Sequence, residues 1–417
     1  FLSRLIFLRR LEAIGVLKPR WVRSQYEAWK EGKTIPTATL SDYIRMLFDG
    51  FWRFYDTELF EEQECDKFDF DGQFFEELLK DVEAAPQRVR EVVGIQEPQD
   101  KGLYGYNFME LSLDILGTVY ERYLAHTLGF KQLNNGKKVI TIEETPELRQ
   151  KEGAYFTPTH VVKFILSHTL EPRLSAIYTT AIQLIKQGKM NEAKRKILEI
   201  GKIRVLDPAC GSGSFLIEAF KMITLYYSRY NATLYEACKG AKLHEQKVAE
   251  YEVDKIGERT LLENIYGVDL DTKAVELTKL NLWLHHIDLN RTRYYYSGGA
   301  TKRKLLPPLD LNIQCGNSMV CHDESNLATC NAKLDRIKAI RNELRHIRSH
   351  ISLNTDEKEV LNLQKHDKEL SRELKNLVKE IENAIEGSLS QYLVNEQDYE
   401  DFESPFDWHI KFPEVFD

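Results

Sequence analysis

The residues with the clearest chemical potential lie between positions 205 and 215, where the chain reads Val-Leu-Asp-Pro-Ala-Cys-Gly-Ser-Gly-Ser-Phe. An apolar strand runs into Asp207 and then into two closely spaced glycines, Gly211 and Gly213, before a helical pattern begins. Glycine has no Cβ, so the backbone can turn tightly there and come close to a ligand. Because a strand-to-helix turn also directs free N–H groups at whatever lies above it, the pattern predicts a loop that binds a nucleotide-like ligand.

Two widespread nucleotide-binding loops do not fit this turn. The dinucleotide fingerprint needs a third glycine, and Leu216 stands in its place. The phosphate loop ends in Gly-Lys-Ser/Thr, and the one such ending, Gly32-Lys33-Thr34, has Glu27 where the first glycine belongs. A dinucleotide-binding oxidoreductase and a phosphate-loop protein are therefore disfavoured, and the pattern Asp-Pro-x-x-Gly-x-Gly-x-Phe remains.

That pattern resembles the S-adenosylmethionine (SAM) loop of the amino-group DNA methyltransferases, especially those that modify adenine. Upstream, Gly153 to Pro158 resembles the Tyr-x-Thr-Pro element that precedes the SAM domain in such enzymes. Residues 113–121 and 406–416 resemble a helix and a lead-in segment of the large restriction–modification methyltransferases. On these motifs the chain is similar, over nearly its whole length, to the N6-adenine DNA methyltransferases of type IIG-like restriction–modification enzymes and related phage-defence methyltransferases.

The resemblance implies SAM as the cofactor and assigns residues to it. Asp207 to Gly213 would form the floor under its methionine end, with Tyr155 to Pro158 beside it. Asp269 would accept both ribose hydroxyls, Leu270 would flank the adenine ring, and Asn317 would accept the adenine amine where the family often has Asp. The full set of predicted cofactor-binding residues is Tyr155, Phe156, Thr157, Pro158, Asp207, Pro208, Ala209, Cys210, Gly211, Ser212, Gly213, Asp269, Leu270, Asn317 and Ser318.

The elements that must position these residues alternate between strand and helix. Strands are readable at 203–208, 264–269 and 311–316, and helices at about 214–227 and 272–286. This alternation predicts a parallel, doubly wound α/β sheet. The polar residues that follow each strand would then meet at one edge of that sheet.

Most of the remaining chain is predicted to be helical. Residues 1–130, with an amphipathic helix over 111–128, show apolar residues three and four apart. The insertion at 228–260, longer than a simple crossover needs, is also predicted to be helical. Thr157-Pro158 predicts a helix start at about position 159, with Thr157 as its cap. Residues 331–390 carry two such apolar patterns around a loop at 353–356, which predicts an antiparallel helical hairpin. Its charged surface suits either a solvated structural arm or an arm that contacts DNA or a partner.

One motif of the resembling family is absent from the sequence. Amino-group methylation needs a polar acceptor that holds the base's amine in line with the methyl group, which the family supplies as Asn-Pro-Pro-Tyr/Phe. The only Pro-Pro, at 307–308, has leucine on both sides. We therefore expect no catalytic residue in this chain and no methyl transfer by it alone. We expect the catalytic strand and a target-recognition domain beyond Asp417, and a nuclease domain could precede Phe1.

Composition limits the partners. The net charge of −8 argues that this piece is not the main DNA clamp, so we expect double-stranded DNA to bind mainly through regions outside it. Six cysteines without paired spacing indicate a reducing cytoplasm, and no metal site is predicted. No apolar run is long enough to span a membrane.

These inferences combine into a four-part plan. It comprises a helical domain at 1–150, the SAM-binding half of a methyltransferase at 151–330, a hairpin insertion at 331–395 and a lead-in to the catalytic strand at 396–417. The fold class is α/β, with only the first strands of a class I, Rossmann-like SAM-dependent methyltransferase sheet. The alternative is a non-catalytic scaffold subunit of a DNA-processing assembly, and an Asn-Pro-Pro-aromatic sequence beyond Asp417 would favour the enzyme over it.

Overall fold

The computed structural model describes residues 2–33, 39–55, 59, 79, 108, 126–132, 138–144, 157–240, 245–289, 306–319, 330–353, 357–385 and 406–415. The chain divides into two compact units, one of residues 1–113 and 283–306 and the other of residues 114–282 and 307–417. None of the helices in the described ranges combines the length and apolar character that a membrane crossing requires. The four-part plan stays a prediction.

The N-terminal part of the first unit contains three helices, as its apolar spacing predicts. They are α1 (Leu2–Ala13), α2 (Trp21–Lys30) and α3 (Leu40–Tyr55). Their inward faces carry buried apolar residues, namely Leu5, Phe7, Leu8, Leu11, Val22, Tyr26, Tyr43, Ile44 and Phe48. The buried Arg4 guanidinium lies over the Phe48 ring, 4.7 Å from its centroid, and donates to the Leu59 carbonyl at 2.7 Å.

A two-stranded hairpin lies within the region predicted to be helical. β1 (His126–Gln132) pairs antiparallel with β2 (Lys138–Glu144), with His126 opposite Glu144. The helix predicted over 111–128 is therefore wrong at residues 126–128, and its remaining residues lie outside the described part of the chain. The alternating β-branched residues of β2 and the Asn135-Gly136 pair before it are hairpin signals that a search for helical spacing overlooked.

A helical connection leads to the sheet. α4 (Thr159–Lys186) and α5 (Met190–Ile197) are followed by a 3₁₀ turn at Leu198–Lys202. α4 begins where the Thr-Pro pair predicts, but Pro158 itself occupies the N-cap position. Since the proline ring offers no acceptor and no side chain caps this helix, the capping role predicted for Thr157 is wrong.

Three parallel strands alternate with helices in the second unit. β3 (Val205–Asp207) leads into α6 (Ser214–Gly240), α7 (Glu245–Tyr251) and α8 (Ile256–Glu263), then β4 (Ile265–Asp269) into α9 (Thr272–Leu289), and β5 (Ile313–Cys315) completes the sheet. The order is β3-β4-β5. The predicted alternation of parallel strands with helices is therefore confirmed. Each strand is shorter than its predicted range, and α6 extends through much of the predicted insertion.

The two faces of β4 have different neighbours because side chains alternate along a strand. Gly267 faces α6, where an added Cβ would lie 2.7 Å from Cδ1 of Leu216. Tyr266 and Val268 point the other way and pack against aromatic residues of the segment 406–412. Leu216, which stands where a dinucleotide loop has glycine, is accommodated by a glycine on the strand beneath it.

α10 (Asn331–Leu353) and α11 (Glu357–Ile385) form the predicted antiparallel hairpin. Residues early in α10 pair with residues late in α11, as in the 2.8 Å contact between Lys333 Nζ and Glu380 Oε2. Their shared core consists of Ile337, Ile340, Leu344, Ile347, Ile351, Leu370, Leu374 and Ile381, with Leu311 and Ile410 packed into it. The hairpin is therefore attached to the sheet domain along its length rather than standing free.

Two buried arginines of α10 fix this attachment. Arg348 Nε donates to Asp367 Oδ1 at 2.7 Å, and its Nη1 donates to Asp310 Oδ1 at 2.8 Å. Arg341 Nη2 donates to the Leu311 carbonyl at 2.8 Å, just before β5. Each guanidinium links the hairpin to the segment that enters the third strand.

The last described segment covers one face of the sheet. It comprises α12 (Trp408–Lys411) and a 3₁₀ turn at Pro413–Val415. Phe406 packs so closely on Gly316 that a Cβ there would lie 2.7 Å from the ring. Gly316 is therefore required by this contact, directly after β5.

Candidate functional site

The candidate site begins at the carboxyl end of β3, in the glycine turn. Gly211 has a φ of +53° and Gly213 a φ of +89°, a region that residues with a Cβ rarely adopt. At Gly213 there is also no space, because an added Cβ would lie 2.9 Å from Thr278 Cγ2. At Gly211 no described atom lies within 4 Å of such a Cβ, so the turn is open to a ligand on that side.

Asp269 joins this turn to the neighbouring strand. Its Oδ2 accepts the N–H of Gly211 at 2.7 Å, and its Oδ1 accepts the N–H of Asp271 at 3.0 Å. An ionised carboxylate has about four lone-pair sites, so these two bonds leave acceptor capacity for a ligand. The carboxyl ends of adjacent parallel strands thus bring the glycine turn and Asp269 into direct contact.

Two side chains of α9, which the sequence analysis did not single out, hold the turn from its other side. Thr278 Oγ1 donates to the Gly211 carbonyl at 2.7 Å, and Asn281 Nδ2 donates to the Ser212 carbonyl at 3.0 Å. Both side chains are buried. Polar residues three apart on the inner face of an amphipathic helix need partners there, and that spacing was the signal available in the sequence.

Asp207 and Asp269 are carboxylates without a cationic partner among the described residues. Burial raises the pKa of Asp207, and the charge of Asp269 adds to this, against a hydrogen bond from the Ala209 N–H at 3.2 Å. Burial likewise raises the pKa of Asp269, against the backbone N–H groups that it binds. Two uncompensated acids at one strand edge give the site a negative potential suited to a cationic ligand.

The other residues of the turn differ in exposure. Cys210 and Ser212 are buried, whereas Pro208 and Ala209 are exposed. Burial and the charges of both nearby acids raise the pKa of the Cys210 thiol, so it stays protonated and unreactive. Its backbone N–H donates to the Val268 carbonyl at 2.8 Å, which ties the turn to β4.

The turn after β5 carries the second predicted polar position. Asn317 Oδ1 accepts the N–H of Met319 at 3.1 Å, which leaves one amide lone pair for a ligand amine. The Ser318 carbonyl accepts the Trp408 indole N–H at 3.3 Å, so the backbone of Ser318 is engaged by the covering segment.

Exposed apolar side chains follow two adjacent strands of the sheet. Leu270 follows β4 and is 60% exposed, and Met319 follows β5 and is 68% exposed. The side chain of Leu270 is therefore accessible, and its predicted contact with an adenine ring stays a prediction. Met319 is a further candidate that no motif marked, because an isolated methionine in a turn carries no spacing signal.

The Tyr-Phe-Thr-Pro element is described only in part. Tyr155 and Phe156 lie outside the described residues. Thr157 is half-buried and Pro158 is exposed, directly before α4. No hydrogen bond links these two to the glycine turn within the described part of the chain, and their place beside the cofactor stays a prediction.

Comparisons with known proteins bear on this site. Residues 184–375 match the profile of a family described as "MmeI, DNA-methyltransferase domain". That range contains the glycine turn, all three strands of the sheet, α10 and much of α11. The resemblance to the large restriction–modification methyltransferases, predicted from the motifs, is thereby confirmed together with the relatives that follow.

Three curated relatives match parts of this chain. RM.MjaORFECS2P of Methanocaldococcus jannaschii, named for a type II restriction enzyme and methyltransferase, is 29% identical over an alignment of 365 residues that covers 78% of this chain and 27% of the relative. "Type II restriction enzyme and methyltransferase RM.Eco57I" of Escherichia coli is 29% identical over 52% of this chain and 18% of the relative. "Adenine-specific methyltransferase BrxX" of Escherichia coli O9:H4 is 24% identical over 40% of this chain and 13% of the relative. The chain thus matches about a quarter or less of the length of these proteins.

Proposed function

We propose that this chain binds SAM at the carboxyl edge of its parallel sheet, as the cofactor-binding portion of a site-specific DNA adenine N6-methyltransferase in a restriction–modification or phage-defence system. The observation that carries the proposal is the 2.7 Å hydrogen bond from Gly211 to Asp269. It joins the glycine turn of one strand to the acid of the next, as a ligand spanning both strand ends requires. The methyltransferase family match and the adenine-specific relative support the reaction and the base.

The residues present fit the chemistry of SAM. Its sulfonium and ammonium groups are cationic, and the raised pKa values of Asp207 and Asp269 mark acids that lack a counter-charge. The positive φ at Gly211, with open space where a Cβ would be, allows the backbone to approach a ligand. The exposed Leu270 offers an apolar surface to a purine. We therefore assign the class I SAM-dependent methyltransferase fold to the second unit.

The residues of this chain would bind and orient the donor. When bound, SAM supplies an electrophilic methyl group for transfer to an amine. Asp207 and the backbone of Gly211 and Gly213 would hold its methionine end, and the free lone pairs of Asp269 would accept its ribose hydroxyls. Asn317 would accept its adenine amine through the lone pair that Met319 leaves free. Thr278 and Asn281 position the turn without touching the ligand.

The assigned role ends at cofactor binding. The sequence contains no Asn-Pro-Pro-aromatic motif, so nothing in it supplies the acceptor that aligns the adenine amine. We expect these 417 residues alone to transfer no tritiated methyl group from SAM to DNA. The free thiols of Cys210, Cys238, Cys315 and Cys330 support a cytoplasmic location for the protein.

The test is a titration of the full-length protein with SAM in a calorimeter, followed by methyl transfer to duplex DNA. We expect saturable binding of SAM and transfer to adenine N6, identified by nucleoside analysis of the product. Absence of SAM binding would overturn the cofactor assignment. Binding of SAM without transfer to any duplex would favour the non-catalytic scaffold.

A further inference from the structure

One face of α11 carries a series of exposed cations, with only Leu361 and Asn376 among them. We define the basic stripe as Lys358, Lys365, Lys368, Arg372, Lys375 and Lys379, all exposed. Their spacings of seven, three, four, three and four residues keep them within an arc of about 100° on the helix surface. Leu361, which is 53% exposed, is the residue that lies between the first two cations on the same face.

Four acids of α11 lie on other faces and are engaged by other segments. Asp367 binds Arg348 and Glu373 binds Arg336, each at 2.7 Å, and Glu380 binds Lys333 at 2.8 Å, all across the hairpin. Glu382 binds Lys411 of α12 at 2.8 Å. These four acids are therefore engaged within the domain. Glu359 is exposed, as is Glu369, which contacts His366 of the same helix at 4.0 Å, and the stripe faces outward.

Four cations of the stripe have no ion pair with any described residue. They are Lys365, Arg372, Lys375 and Lys379, each exposed. Like charges three and four residues apart on a helix repel, by about 0.2–0.5 kcal/mol per pair. A face that served only to solvate the helix would gain from mixed signs. A run of one sign is instead suited to a polyanion, whose binding relieves this repulsion.

The dimensions favour duplex DNA as that polyanion. Lys379 lies 21 positions after Lys358, so the stripe is about 32 Å long at a rise of about 1.5 Å per residue. This is close to one turn of B-DNA, roughly 34 Å. The hairpin holds the stripe in a fixed position relative to the sheet, because Arg348 and Arg341 bind the segment leading into β5. A rigid basic ridge of this length fits a line of phosphates.

We propose that the basic stripe of α11 contacts the phosphate backbone of double-stranded DNA. This inference rests on the proposed function for the identity of the substrate, and it assigns the hairpin a role of its own. Contacts to phosphate carry no base information, so the stripe holds the duplex in register while other parts of the protein read sequence. A chain with a net charge of −8 thus concentrates a DNA-binding surface on one helix face.

The test compares two variants of the full-length protein that change its net charge equally. The stripe variant carries Lys365→Gln, Arg372→Gln, Lys375→Gln and Lys379→Gln, which preserve helix propensity and break no described ion pair. The control carries Lys186→Gln, Arg195→Gln, Lys202→Gln and Lys239→Gln, at exposed positions of α4, α5, the 3₁₀ turn after it and α6. Binding of a fluorescein-labelled duplex is followed by anisotropy between about 50 and 200 mM salt.

We expect the stripe variant to bind the duplex on the order of tenfold more weakly than the control at low salt. Each lost phosphate contact should reduce the slope of log K against log salt by about 0.9. SAM binding, measured on the same samples, should be equal in both variants. Equal DNA affinity and salt slope in the two variants would overturn the inference. A parallel titration with polyglutamate, a polyanion without phosphates, serves as a further check: a stripe variant that loses polyglutamate binding but keeps DNA binding would overturn the inference too.

These readouts separate the stripe from the proposed function. If the unmodified protein fails to methylate DNA and yet the stripe variant alone loses affinity for the duplex, the stripe stands and the methyltransferase assignment fails. If methylation occurs and both variants bind DNA alike, the stripe fails by itself.

Discussion

Asp207 and Asp269 at the glycine turn differ from Asp310 and Glu373 at the hairpin in what surrounds each carboxylate. At the turn, burial raises the pKa of both acids, and no cation among the described residues opposes it. At the hairpin, burial would raise the pKa of Asp310, but the charge and hydrogen bonds of Arg348 outweigh it and lower the pKa. A hydrogen bond from Arg336 lowers the pKa of Glu373.

The difference separates acids that hold the fold together from acids left available to a ligand. An acid that serves only the structure gains stability from a cation, as the half-buried Asp310 and Asp367 do from the buried Arg348. The acids of the turn keep their charge at an unfavourable energy, which a cationic ligand would offset. The same contrast appears in the cations of the hairpin. Lys333, Arg336 and Arg348 of α10 are paired with acids of α11, whereas the stripe of α11 faces outward.

The largest expected effect of a single substitution lies on the structural side of this contrast. Arg348→Met removes the cation from two acids, and breaking such a buried pair lowers the free energy of unfolding by about 3–5 kcal/mol. Hydrogen exchange of α10 and α11 amides in the full-length protein should show this as lost protection. Arg336→Gln, which breaks an exposed pair, is the control and should change protection little. Equal protection in both variants would mean that Arg348 does not anchor the hairpin.

The next effect distinguishes the two glycines of the turn. Gly213→Ala meets both a left-handed backbone and a 2.9 Å contact with Thr278, so it should lower the free energy of unfolding by about 2–4 kcal/mol. Gly211→Ala meets only the backbone effect, about 1–2 kcal/mol. Amide hydrogen exchange at residues 206–217, followed during thermal unfolding of the full-length protein, would compare the stability loss of the two variants. Equal losses at the two positions would show that Thr278 yields to the added methyl group.

How far the sequence predicts this site depends on the range of the interactions involved. The glycine turn, its strand and its helix are local, and their residues carry the signal, so β3 and α6 begin close to where the spacing predicts. Thr278 and Asn281 bind the turn from more than sixty residues away along the chain, a contact that only the assembled sheet creates. The packing of Leu216 on Gly267 is invisible in the sequence for the same reason.

The hairpin shows that local patterns predict its helices but not how it packs against the rest of the domain. The steps of three and four that predict α10 and α11 also identify their buried faces, which the core confirms at Ile337 and Leu374. Whether the hairpin stands free or lies against the sheet depends on Arg348 and Asp310, two charged residues that sequence patterns place on the surface. The β1–β2 hairpin was missed because helical spacing on its N-terminal side extends into its first strand.

A smaller effect, on cofactor binding alone, would sharpen the assignment of the turn. Asp269→Asn removes the charge but keeps an amide oxygen that can accept the Gly211 N–H. Because the Asp271 N–H loses its acceptor, we expect the protein to fold with a small loss of stability at the turn. SAM affinity should fall about tenfold or more, which corresponds to about 1.4 kcal/mol. Asp335→Asn on the exposed face of α10 changes net charge equally and serves as the control. Equal SAM affinity in both would remove Asp269 from the proposed site.

The smallest effect is a difference in how the two regions respond to acid. Because the pKa values of Asp207 and Asp269 are raised on folding, the native turn binds protons more tightly than the unfolded chain. The turn should therefore gain stability as the pH falls toward the ordinary aspartate value of about 3.9. The lowered pKa of Asp310 has the opposite sign, so the stability that it contributes is present above that value and is lost below it.

Amide hydrogen exchange measured between about pH 6 and 3, corrected for intrinsic rates, would distinguish the pH response of the turn from that of the hairpin. As the pH is lowered from about 6 to about 4, protection of amides from hydrogen exchange should rise at residues 206–217 and stay level in α10 and α11. SAM affinity should weaken over the same range, because the two acids of the turn become protonated. Below about pH 4 the hairpin should lose protection first. The Asp269→Asn variant should show a smaller gain at the turn, since one of the two titrating groups is gone. A turn that loses protection throughout this range would contradict the view that its acids are uncompensated, and would place a cationic partner beside them in the native protein.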